Sequence, residues 1–372
     1  MVVAASSVRM DPDALAGVEQ LFQQQIEENV HPGAALAVYR HGKPVLDLYA
    51  GIADKESGRR VAQDTMFVLY SSTKPLAAAS LYILWERGKL VWDDPVAKYW
   101  PEFSANGKAG VTVRHILTHQ GGFPETPQDL TWDKFLDWDA VVRAMEGATP
   151  IYAPGTEIAY HSINFGWVIA ELVRRIDGRS FDEFIRDELT APLGMADTYV
   201  GLPGDQEHRV SPVHPMGDLP GDRLEFIADY NRPEVHQAVV PAACGIATAR
   251  DLARFYAMMA NGGALDGVTV LKPATVAEVT RLQVQGMDRT IGQYVRRALG
   301  FALGDERMGC SGKDGVEDGI ATFGHGGAGT SVGWADPESG LAVAYITNGF
   351  QANETNNPRL AAVSRAVRDA CR

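Results

Sequence analysis

Strand-like hairpins stand near both ends of this 372-residue chain, and they constrain its fold more than anything between them. "AALAVYR" and "PVLDLYAG" face each other across a turn at His41-Gly42; far downstream, "SVGWAD" and "LAVAYITN" flank the turn "PESG". A lone hairpin is barely stable in water. Both pairs are therefore expected to feed one antiparallel sheet. Each has a helix beside it. Leu15, Val18, Phe22 and Ile26 lie at helical spacing before a stop near Pro32-Gly33, and a helix follows the last strand with Asn357 as N-cap and Pro358 at its first position.

Between the hairpins, Phe165, Val168, Ile169, Leu172, Val173 and Ile176 form an apolar stripe closed by Gly178, which predicts an amphipathic helix. The rest of residues 93–239 mixes short helices with loops rich in Pro, Gly and Asp. The expected layout is α+β: an antiparallel sheet flanked by helices, built from residues 1–92 and 240–372, with an inserted mainly helical lobe over 93–239. The cleft between the two is the expected site.

"FVLYSSTKPLAAASLYILWERG" passes from strand-like residues into an Ala- and Leu-rich helix, with Ser71 at its start and Lys74 three residues on, on the same face. A serine hydroxyl becomes a useful nucleophile only when a base takes its proton, and an amine can do so when burial or a nearby charge lowers its pKa. Ser-x-x-Lys alone is a common accident. A second piece is "APGTEIAYHSINFGWVIAEL", where Tyr160, His161 and Ser162 occupy the turn before the striped helix, and a phenol there could shuttle a proton.

The third piece is "GHGGAGTSVG", residues 324–333, which fits three signatures: a dinucleotide loop, a Gly-x-Ser-x-Gly nucleophile elbow around Ser331, or His325-Gly326-Gly327 entering an edge-type strand. The first two need a helix immediately afterwards. The residues from Ser331 onward read instead as strand, turn and strand, so the third remains. Small residues there let a substrate reach a backbone amide.

In this order the three pieces resemble the serine β-lactamase and penicillin-binding protein superfamily, closest to class C β-lactamases and family VIII carboxylesterases. "VTVRHILTHQGGFP", "APLGMADTYVG" and "GIATARDLARFYAMMANGG" extend the resemblance over nearly the whole chain. It implies a β-lactamase/transpeptidase-like fold, Ser71 as acylated nucleophile, Lys74 and Tyr160 as the proton-transfer pair, and the amides of Ser71 and Ala328 as oxyanion hole. Gln120, Ser162, His325, Gly326 and Gly327 would line the substrate. Two positions depart from the β-lactamase pattern: Ser162 stands where Tyr-x-Asn has Asn, and His325 where Lys-Thr-Gly has Lys. A lysine offers a permanent charge to a substrate carboxylate, whereas an imidazole near pH 7 offers mainly a hydrogen bond. Uncharged esters fit better, and affinity for anionic substrates is expected to follow His325 protonation near its ordinary pKa of about 6.5.

The expected activity is that of a carboxylesterase working through a Ser71 acyl-enzyme. The alternatives are a β-lactamase or D-amino-acid-specific peptidase or amidase, and a non-catalytic scaffold or sensor that becomes acylated without turnover. No metal or organic cofactor is expected: His115 and His119 have the i, i+4 spacing of helical ligands but no third partner, and Cys244, Cys310 and Cys371 are odd in number and far apart. The formal charge of −13 and the lack of a basic cluster argue against a nucleic-acid or anionic-membrane partner. No segment reads as a signal peptide or membrane span, so cytoplasmic residence is the default. The expected partner is a small-molecule ester or amide; a homo-oligomer stays open. Trp92, Trp132, Trp138 and Trp167 read as packing residues.

Overall fold

The computed structural model describes residues 2–128, 130–310 and 321–371. Its central feature is a nine-stranded sheet. In chain order its strands are β1 (Gly33–Arg40), β2 (Lys43–Asp54), β3 (Arg59–Arg60), β4 (Val284–Asp288), β5 (Gln293–Arg297), β6 (Ala302–Leu303), β7 (Phe323–Gly327), β8 (Ser331–Asp336) and β9 (Leu341–Thr347). In space they run β4-β5-β6-β7-β8-β9-β1-β2-β3, each antiparallel to its neighbours. The two hairpins of the sequence thus meet at β1 and β9, in register from Ala34 opposite Thr347 to Arg40 opposite Leu341. His41 and Gly42 close the first hairpin with φ of 49° and 71°, the left-handed pair that matches strand twist in a two-residue loop.

Every residue of β1 and β9 is buried, because helices cover both faces. Alternate residues divide between the two layers. Ala35, Ala37 and Tyr39 join the larger apolar cluster with α4 (Ala249–Ala260), while Ala34, Leu36 and Val38 pack with α1 (Pro12–Glu27) and α5 (Asn353–Asp369). Asp11 caps α1 by accepting from the amide of Asp13 at 3.0 Å, with Pro12 in the first turn.

One expected boundary is corrected. The last helix starts at Asn353, not after Asn357, and Pro358 lies inside it. A proline there deprives one carbonyl, that of Glu354, of its helical donor. Glu354 is exposed to water, and Arg359 immediately after the proline is held by Asn356 at 3.1 Å, so the helix runs through.

The other central helix is α2 (Lys74–Glu86), buried at every position from Lys74 to Leu84. A helix apolar all round has to lie inside the molecule. It packs against α3 (Asn164–Asp177), whose stripe ends at Gly178 with φ 95° as the sequence predicts. A small four-stranded sheet joins Thr198–Val200 and Val210–Ser211 to Met66–Val68 and Gly245–Ala247. The strand leading to Ser71 is thereby tied on both edges.

Candidate active site

Leu69 ends that strand by donating its amide to the Gly245 carbonyl at 2.8 Å, and the chain then turns sharply. Tyr70 is fully buried with φ 48°, a left-handed conformation that costs a residue with a side chain about 1–2 kcal/mol. Packing holds it there: its ring lies 4.6 Å from that of Tyr230 and 5.5 Å from that of Phe226. Thr73 closes the turn, donating to the Tyr70 carbonyl at 2.6 Å and accepting from the Gly245 amide at 2.9 Å. Ser71 is half-buried on the resulting 3-10 turn, Tyr70–Thr73, directly before α2.

Two side chains converge on the Ser71 hydroxyl. Lys74 Nζ lies 3.0 Å from Ser71 Oγ, and the Tyr160 hydroxyl donates to the same oxygen at 2.7 Å. Lys74 is wholly buried, and its other neighbours are the carbonyls of Ser162 at 2.8 Å and Ala242 at 3.1 Å. Carbonyls only accept, so they take two N–H groups; a neutral amine then has its lone pair left for the Ser71 proton. Burial, and after it the charge of Arg297, hold Lys74 well below the ordinary lysine range. Burial pushes the Tyr160 phenol up to about 12, against the pull of the Ser71 hydrogen bond and of Arg297. The pair therefore joins an amine that sheds its charge at a lower pH than an ordinary lysine to a phenol that stays intact at neutral pH: one takes a proton, the other gives one.

Strand β7 supplies the opposite wall. It pairs with β8 along its length but with β6 only at Phe323 and Gly324, so from His325 onward one edge is open. Ser72 Oγ donates to the His325 carbonyl at 3.1 Å and Ser331 Oγ to that of Leu69 at 3.2 Å, fastening the strand to the Ser71 turn. A Cβ on Gly327 would overlap the Leu69 carbonyl and Ser331 Oγ, which is why a glycine stands there. Ala328 comes next, half-buried. Ser331 is itself buried within β8, so no nucleophile elbow exists at that position.

His325 departs from its sequence reading. Its ring is buried, Nδ1 meets the Gly326 carbonyl at 2.8 Å, and Nε2 has no partner among the described residues. Burial pushes its pKa well below the ordinary value. The expected protonation near pH 6.5 is thus overturned: the imidazole stays neutral, Nδ1–H donates, and Nε2 is an acceptor.

Gln120 is half-buried and spends its side chain on the loop, accepting from Thr118 Oγ1 at 3.0 Å and donating to the Gly155 carbonyl at 3.1 Å. Ser162 reaches the cluster through its carbonyl. His119 accepts from the His161 amide at 3.1 Å and lies against Tyr160, while His115 Nδ1 accepts from the Thr112 amide at 3.3 Å, so the two histidines serve separate local structures. The sequence reading misses Asp288 and Arg297, a buried ion pair at 2.9 Å behind Tyr160. They belong to no local motif, and only the register of β4 against β5 brings them together.

The sequence model of the beta-lactamase family matches residues 18–367. The chain belongs to that family. It is 33% identical to the Esterase/beta-lactamase LipL of Mycobacterium tuberculosis over 85% of this chain and 77% of that one. A penicillin-binding protein homologue from Caulobacter crescentus superposes with a TM-score of 0.84 at 30% identity, covering 97% and 98% of the two chains. A family VIII carboxylesterase gives 0.82 at 30% identity, covering 95% and 97%. The fold is the β-lactamase/transpeptidase one, and the chain is a serine hydrolase of this family. Among the described residues no helix is long and apolar enough to cross a membrane.

Proposed function

We propose that the protein is a carboxylesterase that cleaves small uncharged esters through a Ser71 acyl-enzyme, in a cleft between the sheet domain (1–92 and 240–372) and the helical lobe (93–239). The observation that carries this is the convergence of the buried Lys74 amine and the Tyr160 hydroxyl on one serine oxygen. Lys74 Nζ takes the Ser71 proton as Oγ bonds to the ester carbonyl carbon, and the amides of Ser71 and Ala328 receive the oxyanion. As the tetrahedral adduct collapses, the C–O bond to the alcohol breaks and Tyr160 gives that oxygen its proton; the proton held by Lys74 restores the phenol. Water then attacks the acyl carbon, loses its proton by the same route in reverse, and Ser71 leaves protonated.

The preference for uncharged esters is supported by the neutral, buried His325 at the position where a lysine would hold a substrate carboxylate. Turnover of p-nitrophenyl acetate, a cephalosporin and a D-Ala-D-Ala peptide, with mass measurement of the trapped acyl-enzyme, tests the reading. The ester should be turned over fastest and the acyl group should sit on Ser71. Faster cleavage of the cephalosporin or peptide returns the alternative, and acylation without turnover returns the scaffold.

A further inference from the structure

The β4–β5 hairpin closes one end of the large sheet. Residues directly opposite in an antiparallel pair share a face, as does every second residue along each strand. Asp288 opposite Gln293 and Arg297 opposite Val284 therefore share one face, while Met287 opposite Tyr294 occupies the other and is exposed. The inner face meets the segment carrying Tyr160. Asp288 forms a bridge with Ile158, and Arg289 donates its amide to the Ile158 carbonyl at 2.8 Å. One Asp288 oxygen accepts from the amides of Tyr160 at 3.0 Å, Thr290 at 3.0 Å and Ile291 at 3.3 Å; the other accepts from Arg297 Nη2 at 2.9 Å. The Arg297 guanidinium lies 5.4 Å from the centre of the Tyr160 ring, and its buried Nε has no hydrogen-bond partner among the described residues. Leaving a buried donor unpaired is a poor way to stabilise a fold. The placement does put a fixed positive charge beside both members of the proton-transfer pair.

We propose that Asp288 and Arg297 are a positioning pair for acylation: Asp288 fixes the backbone at Tyr160, and Arg297, held by Asp288, sets the electrostatic field in which Lys74 and Tyr160 handle the Ser71 proton. This rests on the reading of Ser71 as the acylated nucleophile. A neighbouring cation favours the neutral amine and eases formation of the phenolate, so it helps both partners. Arg297 is the charge that, after burial, lowers Lys74. The other groups facing the pair include His119 at 4.7 Å and His325 at 6.1 Å from the Tyr160 ring and the buried His161 beside His119, with Arg307 acting on Tyr160 from the turn before β7. The three histidines are held neutral by burial, and Arg307 is ion-paired with Asp305 at 2.7 Å.

The test compares wild type with Arg297→Met, Arg297→Lys and Asp288→Asn, measuring kcat and KM for a neutral ester from pH 5 to 10, fluorophosphonate labelling of Ser71, and thermal unfolding. Arg297→Met should raise the acid limb of kcat/KM by about one pH unit and lower kcat at pH 7 by about 10- to 100-fold, with KM changed less than about threefold. Arg297→Lys keeps the charge and should hold the limb near its wild-type position. Asp288→Asn leaves Arg297 uncompensated, so its limb should move the opposite way, downward, while kcat falls as Tyr160 loosens. Equal losses in the Met and Lys variants with an unmoved limb, in folded protein whose Ser71 still labels, overturn the pair's role. Failure of wild type to label at Ser71 overturns the underlying reading and the pair with it.

Discussion

Among the described residues two lysines are wholly buried, and they have been put to opposite uses. Lys108 Nζ is surrounded by three carbonyls, those of Ala105, Glu146 and Ala148, the last two at the C-terminal end of the helix Trp138–Gly147. Lys74 Nζ is surrounded by two carbonyls and a hydroxyl. A carbonyl can only accept, so Lys108 acts as a donor to exposed helix-end acceptors, where a positive charge is welcome. A hydroxyl brings a proton of its own, so Lys74 can act as an acceptor. The charges nearby point the same way. Burial lowers Lys108 to about 8, with Glu146 pulling it back up, whereas burial and Arg297 both lower Lys74. One exchanged ligand and one exchanged neighbour separate a structural lysine from a base.

The largest expected effect comes from removing the group that makes the difference. Ser71→Ala should abolish ester turnover and fluorophosphonate labelling, as read by intact mass; labelling retained elsewhere would make Lys74 as structural as Lys108. Next, Lys74→Ala and Tyr160→Phe should each lower kcat by about 10²-fold or more, and the double variant should fall far short of the product of the two. Losses that multiply would mean that amine and phenol act independently. The acid limb of wild-type kcat/KM should lie well below pH 10.5, with activity falling as pH drops through it, because protonation removes the acceptor.

Lys108→Met sharpens the comparison from the other side. Stranding three carbonyls should cost about 2–3 kcal/mol in urea unfolding, with kcat per folded molecule within about twofold of wild type. The folded lysine releases its proton near pH 8 and the unfolded one near 10.5, so between those values the unfolded state binds more protons and wild type should gain stability as pH rises. Lys108→Met should lose that slope. The smallest effect concerns His325: the ratio of kcat/KM for a neutral ester to that for a cephalosporin should stay flat as pH passes through the ordinary histidine range near about 6.5, because burial holds the imidazole well below it. His325→Lys should improve KM for the anionic substrate at every pH; a wild-type ratio that bends near the ordinary histidine value of about 6.5 would show that the imidazole titrates after all.

Much of this arrangement was legible from spacing. The hairpins, the stripe on α3 and the Ser71-to-Lys74 interval each reflect a local period, and a local period survives in the sequence. His325 was legible as a position and not as a charge state, because its neutrality comes from burial by residues far along the chain. Asp288 and Arg297 were illegible for a related reason: neighbours across a strand pair are set by register, which no short motif records. Pro358 misled in the ordinary way, since a proline marks a helix start only when the residues before it have nothing else to hold them helical.

The meeting of β1 with β9 also has a consequence in time. β1 leaves the ribosome well before its partner along one entire edge, residues 341–347. At about 5–20 residues per second, the N-terminal hairpin waits with that edge unpaired for roughly 15–60 s. Whatever shields the edge during that interval sets how much chain escapes aggregation, so the yield of active enzyme should respond to translation rate and to chaperone supply before it responds to any substitution near Ser71.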